Sequence, residues 1–207
     1  MSKSSVTISV IVLAVLLIIF YFLNRPSREK NYPRVGENII AFGDSLVEGV
    51  GASAGKDFVS LLSQKINRPI INVGQSGDTT ATALIRLDKD VLSQDPRIVI
   101  ILLGGNDAIR RTPKEEVIKN LEMMIDQIQQ KGAAVLLVGI QGGIFRDQYK
   151  KLFVNLARGK KVFYVPDILD DIFGSSQLMS DSLHPNDQGY EIMAQRIEPT
   201  LREILRK

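Results

Sequence analysis

Five short apolar runs, at Asn38–Ala41, Ile70–Val73, Arg97–Leu103, Ala133–Ile140 and Lys161–Val165, alternate with stretches whose apolar residues recur every three or four positions. This alternation narrows the possible folds more than any other feature of the chain. Runs of this length and composition read as strands. Connections long enough to hold a helix rule out tight hairpins and require crossovers, which make a sheet parallel and cover both of its faces. The intervening stripes are Phe58, Leu61, Leu62 and Ile66; then Leu84, Leu87, Val91 and Leu92; then Val117, Leu121, Met124, Ile125 and Ile128. Each forms one apolar face, suited to packing on a sheet rather than to holding a cofactor. A last helix follows Asn186, with Ile192, Met193, Ile197, Leu201 and Leu205 facing inward. The expectation is an α/β protein, a three-layer α/β/α sandwich on a five-stranded parallel sheet, occupying residues 38–207.

The chain begins differently. Val6 to Leu23 carries no charge, and its 18 residues cover most of a ~30 Å hydrocarbon layer at 1.5 Å per residue. The run is longer than the usual apolar segment of a cleaved signal, and no Ala-x-Ala-like site precedes Arg25-Pro26. It is apolar on all faces, and Tyr21 and Phe22 sit at its end as interfacial aromatics do. Residues 1–24 therefore read as one transmembrane anchor, meeting the bilayer through residues 6–23. Residues 25–37, polar and carrying Pro26 and Pro33, read as a linker. The charges around the span pull both ways. Arg25, Arg28, Lys30 and Arg34 after it favour a cytoplasmic domain, whereas large domains translocate with little regard to charge and a short basic N-terminus often starts an exported anchor. The expectation is a single-pass protein of the bacterial inner (cytoplasmic) membrane with its domain on the periplasmic, extracytoplasmic side, the opposite orientation standing as the alternative.

Charge and cysteine content exclude several classes. The net charge of +3 resides in the first thirty residues, where Lys3, Arg25, Arg28 and Lys30 oppose Glu29; the remainder holds 22 basic and 22 acidic residues. Such a balance lacks the basic excess of a nucleic-acid-binding surface. The absence of cysteine removes disulfides, thiolate metal sites and a cysteine nucleophile, and leaves the redox compartment open.

In open parallel sheets ligands bind beyond the carboxyl ends of the strands. Polar, glycine-bearing turns follow the first three strand runs: Gly43-Asp44-Ser45-Leu46, Gly74-Gln75-Ser76-Gly77-Asp78 and Gly104-Gly105-Asn106-Asp107. The only histidine, His184, stands in Asp181-Ser182-Leu183-His184-Pro185-Asn186. A hydroxyl nucleophile needs a base that titrates near neutrality, and histidine, with an unperturbed pKa of roughly 6.5, supplies one. Each turn alone has a plain structural explanation, since Gly, Asp and Ser are ordinary turn and helix-cap residues. Four blocks in one order do not.

Those blocks, with Asn72-Val73 before the second and Thr79 after it, resemble the SGNH (GDSL) hydrolases, and within them the thioesterase I, arylesterase and lysophospholipase branch. The resemblance spans residues 38–207 and implies the family's flavodoxin-like sandwich. It implies a serine hydrolase of acyl esters or thioesters working through an acyl-enzyme, with Ser45 as nucleophile, His184 as base and then acid, and Asp181 orienting His184. The backbone N–H groups of Ser45 and Gly77 and the side-chain amide of Asn106 would form the oxyanion hole. Such a hydrolase needs no cofactor, and His184 has no companion with metal-ligand spacing. Asp44 and Asp107 fit turn-capping better than catalysis, and Asp78 and Thr79 fit the cap of the following helix.

Substrate is less legible. Ile144 and Phe145 follow the fourth strand, where this branch recognises acyl chains, but Gln141-Gly142-Gly143-Ile144-Phe145-Arg146 departs from its pattern. They line an acyl groove or simply pack on the core. Arg110, with Arg111, meets a phosphate headgroup or faces water. Beside an acyl esterase, lysophospholipase or acyl thioesterase, two alternatives stand: an O-acetyl esterase of carbohydrate or cell wall, and a non-catalytic lipid- or glycan-binding module. Oligomeric state is not encoded in these patterns.

Overall fold

The computed structural model describes residues 33–140 and 148–206. The candidate anchor, most of the linker, and Ile144 and Phe145 lie outside the described residues. Among those described, no helix is long and apolar enough to cross a membrane.

Among the described residues thirteen named stretches, twelve of them strands or α-helices, follow the expected alternation. In chain order they are β1 (Asn38–Gly43), α1 (Ser45–Glu48), α2 (Phe58–Ile66), β2 (Ile70–Gly74), α3 (Thr80–Asp90), a 3₁₀ turn (Leu92–Gln94), β3 (Pro96–Leu102), α4 (Gly105–Ile109), α5 (Lys114–Gln130), β4 (Ala134–Val138), α6 (Gln148–Gly159), β5 (Phe163–Val165) and α7 (Asp187–Leu205). The sheet order is β2-β1-β3-β4-β5, and every pairing is parallel. The chain runs outward from β1 to β2 and then crosses back to β3, so the topological switch falls between β1 and β3. That is where a doubly wound sheet opens its crevice.

Successive strand residues point to opposite faces, and the core divides accordingly. Ile39, Ala41, Ile98, Ile100, Leu136 and Phe163 pack with α2 and α7 on one side. Ile40, Phe42, Val99, Ile101, Val135 and Leu137 pack with α3, α5 and α6 on the other. The central strands are apolar on both faces because helices cover both.

Some helical details differ from the sequence expectation. On α3 the buried apolar positions are Ala83 and Leu87, with Leu84 only partly buried and Ile85 84% exposed; the helix ends at Asp90, and Leu92 lies in the 3₁₀ turn. On α7, Met193, Ile197 and Leu201 are buried with Tyr190, Ala194 and Ile204, while Ile192 and Leu205 sit at the edge of the core. Helix α6 was not expected. Its stripe of Tyr149, Phe153, Leu156 and Ala157 is short and flanked by Lys150, Lys151 and Asn155.

The chain enters this domain at the amino-terminal edge of the sheet. The Arg34 N–H donates to the Gly132 carbonyl (2.8 Å), and the N–H groups of Glu37 and Asn38 donate to the Asp95 carbonyl (3.2 and 3.1 Å). Gly132 and Asp95 precede β4 and β3. The three glycine-bearing turns lie at the other end of the strands.

Candidate active site

At the end of β1, Asp44 caps α1: its carboxylate accepts the Leu46 N–H at 3.0 Å, and Ser45 becomes the first helical residue. Ser45 is half-buried, its backbone N–H at the helix N-terminus. The approach is close. A Cβ on Gly74, at the end of β2, would lie 2.1 Å from the Glu48 nitrogen, so only glycine lets the second turn come up beside α1.

The histidine arrives from the far end of the sequence, on a loop tied to itself. Met179 bridges Pro185, the Ser180 N–H donates to the His184 carbonyl (2.8 Å), and the Asn186 N–H donates to the Leu178 carbonyl (2.9 Å). Asn186 then caps α7, accepting the N–H groups of Gln188 and Gly189. The tie leaves His184 against Ser45, with Nε2 3.0 Å from the serine Oγ and Nδ1 2.8 Å from Asp181 Oδ2. With the imidazole proton on Nδ1 and donated to the carboxylate, the Nε2 lone pair is free to accept the Ser45 hydroxyl.

Asp181 is pulled down to about 2, first by its bond with the His184 ring and then by the Leu183 and His184 N–H groups, both donating to Oδ1 (2.7 and 2.8 Å). It is therefore an anion throughout the neutral range although 53% of its side chain is exposed. Asp44 goes the other way. Burial raises its carboxyl to about 7, with Asp78 and Asp107 adding to the rise and the Leu46 N–H and His184 opposing it.

The remaining members sit on the neighbouring turns. Gly77 has φ +83°, a left-handed conformation suited to glycine, and among the described residues its N–H donates to no protein group. One N–H of the Asn106 amide donates to the Asp78 carbonyl (2.9 Å), leaving the other to the cavity. Ser45, Gly77, Asn106 and His184 line one cavity of about 230 Å³, whose apolar wall is Leu46, Ile140, Leu169 and Phe173. Ile109 and Leu183, 46% and 40% exposed, stand at its mouth. All five sequence-derived candidates, Ser45, Gly77, Asn106, Asp181 and His184, thus meet at the carboxyl end of β1, β2 and β3.

Thr79 caps α3 in a capping box with Thr82, and Asp78 accepts from Thr82 Oγ1 (2.8 Å) and pairs with Arg86 (2.6 Å). Asp107 does not cap its own turn: fully buried, it accepts the Thr80 N–H and hydroxyl (2.8 and 2.7 Å), joining α4 to α3. Arg110 is engaged rather than free, its Nη2 donating to the Gly77 carbonyl at 3.0 Å. Several participants escaped the sequence reading. Arg86 binds Asp78, Asp90 and the Gly43 carbonyl and lies over the Phe42 ring, and the Glu48 carboxylate accepts the Ser76 N–H (2.6 Å). Leu169 and Phe173 follow β5 in a stretch without regular periodicity. No short motif marks any of these.

A hydroxyl, an imidazole and a carboxylate in line, beside unengaged N–H donors and an apolar cavity, is the equipment of an acyl hydrolase. The sequence matches the GDSL-like lipase/acylhydrolase family over residues 41–192, and the chain belongs to that family of ester hydrolases. It is similar to the esterase TesA of Pseudomonas aeruginosa, 28% identical over 180 residues that cover 82% of this chain and 90% of that protein. It is similar also to thioesterase 1/protease 1/lysophospholipase L1 of Escherichia coli K12, 26% identical over 82% of this chain and 85% of that one. The crystal structure of TesA superposes with a TM-score of 0.76, covering 81% of this chain and 99% of that chain.

Proposed function

We propose that this protein is a membrane-anchored serine hydrolase that cleaves acyl esters or thioesters through an acyl-enzyme on Ser45. The observation that carries the reading is the continuous line from Asp181 Oδ2 through the His184 ring to Ser45 Oγ, 2.8 and 3.0 Å per step. Ser45 Oγ attacks the acyl carbon while its proton passes to His184 Nε2, and Asp181 holds the ring and balances the imidazolium charge. The carbonyl oxygen becomes an oxyanion facing the N–H groups of Ser45 and Gly77 and the Asn106 amide, where one donor is worth about 10²- to 10³-fold in rate. His184 returns the proton to the departing alkoxide or thiolate. Water then enters, gives its proton to His184, attacks the acyl-Ser45 ester and releases the acid.

The apolar wall of Leu46, Ile140, Leu169 and Phe173 supports an acyl chain as the part of the substrate that is held. The apolar run at 6–23 supports a bilayer anchor, with the domain outside the cytoplasm. Residues 34–38 join the sheet at the edge opposite the cavity, so the linker reaches the domain at the end away from the site.

The test is hydrolysis of p-nitrophenyl esters from acetate to palmitate by the full chain in non-ionic detergent, with Ser45→Ala beside it. A Ser45-dependent maximum at medium or long chains is expected. A maximum at acetate would transfer the assignment to carbohydrate or cell-wall O-acetyl esters, and no Ser45-dependent turnover on any ester would leave a binding module.

A further inference from the structure

Asn106 and Arg110 are four residues apart at the two ends of α4, a spacing that sets their side chains on one face. Both reach the turn after β2, where they bond to consecutive carbonyls: the Asn106 amide to that of Asp78 at 2.9 Å, the Arg110 guanidinium to that of Gly77 at 3.0 Å. Elsewhere the turn is held by the Gln75 N–H on the Gly43 carbonyl (3.0 Å), by the Ser76 N–H on Glu48 (2.6 Å), and by the Asp78 N–H on the Gln75 carbonyl (3.2 Å), which closes it around Gly77. Gly77, the least constrained residue type, sits exposed at the turn's apex with φ +83° and open space where a Cβ would be. Its carbonyl has one partner, Arg110, and its N–H has none among the described residues.

We propose that Arg110 is a positioning residue for the oxyanion hole: by holding the Gly77 carbonyl, it keeps the Gly77 N–H aimed at the place where the acyl oxygen gains charge. This rests on the hydrolase reading of the same site. A donor stabilises an oxyanion fully only when it is already oriented, since reorienting it at the moment of reaction uses up part of the stabilisation. Without that anchor only the Asp78 N–H bond to the Gln75 carbonyl spans Gly77; a glycine held at one point ranges more widely in φ and ψ, and its N–H leaves the cavity for part of the time. The guanidinium also brings positive charge to the hole's outer edge. In this role Arg110 acts on every substrate alike, whereas a headgroup ligand acts only on substrates carrying an anionic headgroup.

The experiment compares wild type, Arg110→Met and Arg110→Lys on p-nitrophenyl butyrate, which has no headgroup, and on a lysophosphatidylcholine. It adds inhibition by an alkylboronic acid, whose tetrahedral serine adduct mimics the oxyanion. Arg110→Met is expected to lower kcat by about 10-fold on both substrates, with KM within about twofold, and to weaken the boronate by a similar factor. Arg110→Lys, with a single-point donor, should recover part of the loss. The melting temperature should stay unchanged, because one exposed hydrogen bond is removed. A raised KM on the lysophospholipid alone would overturn the proposal in favour of headgroup binding. Unaltered kcat on both substrates, or losses that follow a lowered melting temperature, would also overturn it. In each of these outcomes turnover still depends on Ser45; wild-type turnover that survives Ser45→Ala would instead defeat the hydrolase reading itself.

Discussion

Asp44, adjacent to the candidate nucleophile, offers a prediction that follows chiefly from its burial. The side chain is 2% exposed, and its carboxyl is raised from 3.8 to about 7. A carboxylic acid whose folded pKa lies above its unfolded value binds its proton more tightly when folded. Its contribution is therefore complete below pH 3.8 and is lost as pH rises towards 7. Substitution by Asn keeps an acceptor for the Leu46 N–H and an N-cap of equal quality, while removing the titration. Linkage for this one site between the folded and unfolded states gives a penalty of roughly 1.5 kcal/mol at pH 5 and roughly 4 kcal/mol at pH 8. Asp44→Asn should accordingly gain about 2–3 kcal/mol on wild type between those pH values, about 4–12 °C in melting temperature for a chain of this size. Urea unfolding of both proteins at pH 5, 6, 7 and 8 reads the difference, since titrating groups that do not interact with Asp44 cancel. A difference that stays constant from pH 5 to 8 would show that Asp44 titrates normally and that the burial argument is mistaken.

Other consequences are sharper in activity than in stability. Asp181→Asn should lower kcat by about 10²- to 10⁴-fold, because an amide neither fixes the tautomer nor balances the imidazolium, with little change in melting temperature since the side chain is largely exposed. As the Asp181 carboxyl is held at about 2, its support of the His184 loop exists above 3.8 and fades only as pH falls towards 2; proteolysis of that loop should be unchanged from pH 8 down to pH 5. Gly74→Ala places a Cβ 2.1 Å from the Glu48 nitrogen and 2.6 Å from the Val47 carbonyl carbon, so α1 must shift. Thermal unfolding should show a loss of about 1–3 kcal/mol, accompanied by lower kcat, and wild-type behaviour in both would show that the two turns are not in contact. Hydrolysis should be unaltered by EDTA.

What was legible in the chain was whatever repeats or is written in fixed residue types. Strand runs of β-type residues and the stripe of Val117, Leu121, Met124, Ile125 and Ile128 declare their periods locally, and the sheet follows from the lengths between them. Ser45, Gly77, Asn106, Asp181 and His184 could be proposed because chemistry allows few substitutes and each sits in a short block. Helix α6 was missed because a stripe beginning at Tyr149, interrupted by Lys150 and Lys151, is indistinguishable from a charged loop until β5 is in place to pack on. Arg86 and Glu48 were illegible as participants for a different reason, and Arg110 was legible as a headgroup ligand but not as a partner of the Gly77 carbonyl. An arginine or glutamate in sequence reads as a solvated charge, and only the three-dimensional approach of the turns reveals which carbonyls and carboxylates it meets. Asp44 likewise reads as a cap, which it is; its burial beside Asp78 and Asp107 depends on strands β1 and β3 being neighbours.

The central claim, that Ser45 is the nucleophile of an acyl-enzyme, is tested most directly by intact-mass measurement after reaction with an alkyl fluorophosphonate, together with turnover of p-nitrophenyl butyrate. Wild type should gain one phosphonyl group, mapped to the peptide containing Ser45, and lose its activity in step. Ser45→Ala should gain none and turn over at least about 10³-fold more slowly, with an unchanged melting temperature. A phosphonyl group on another residue, or turnover in folded Ser45→Ala close to that of wild type, would contradict the account.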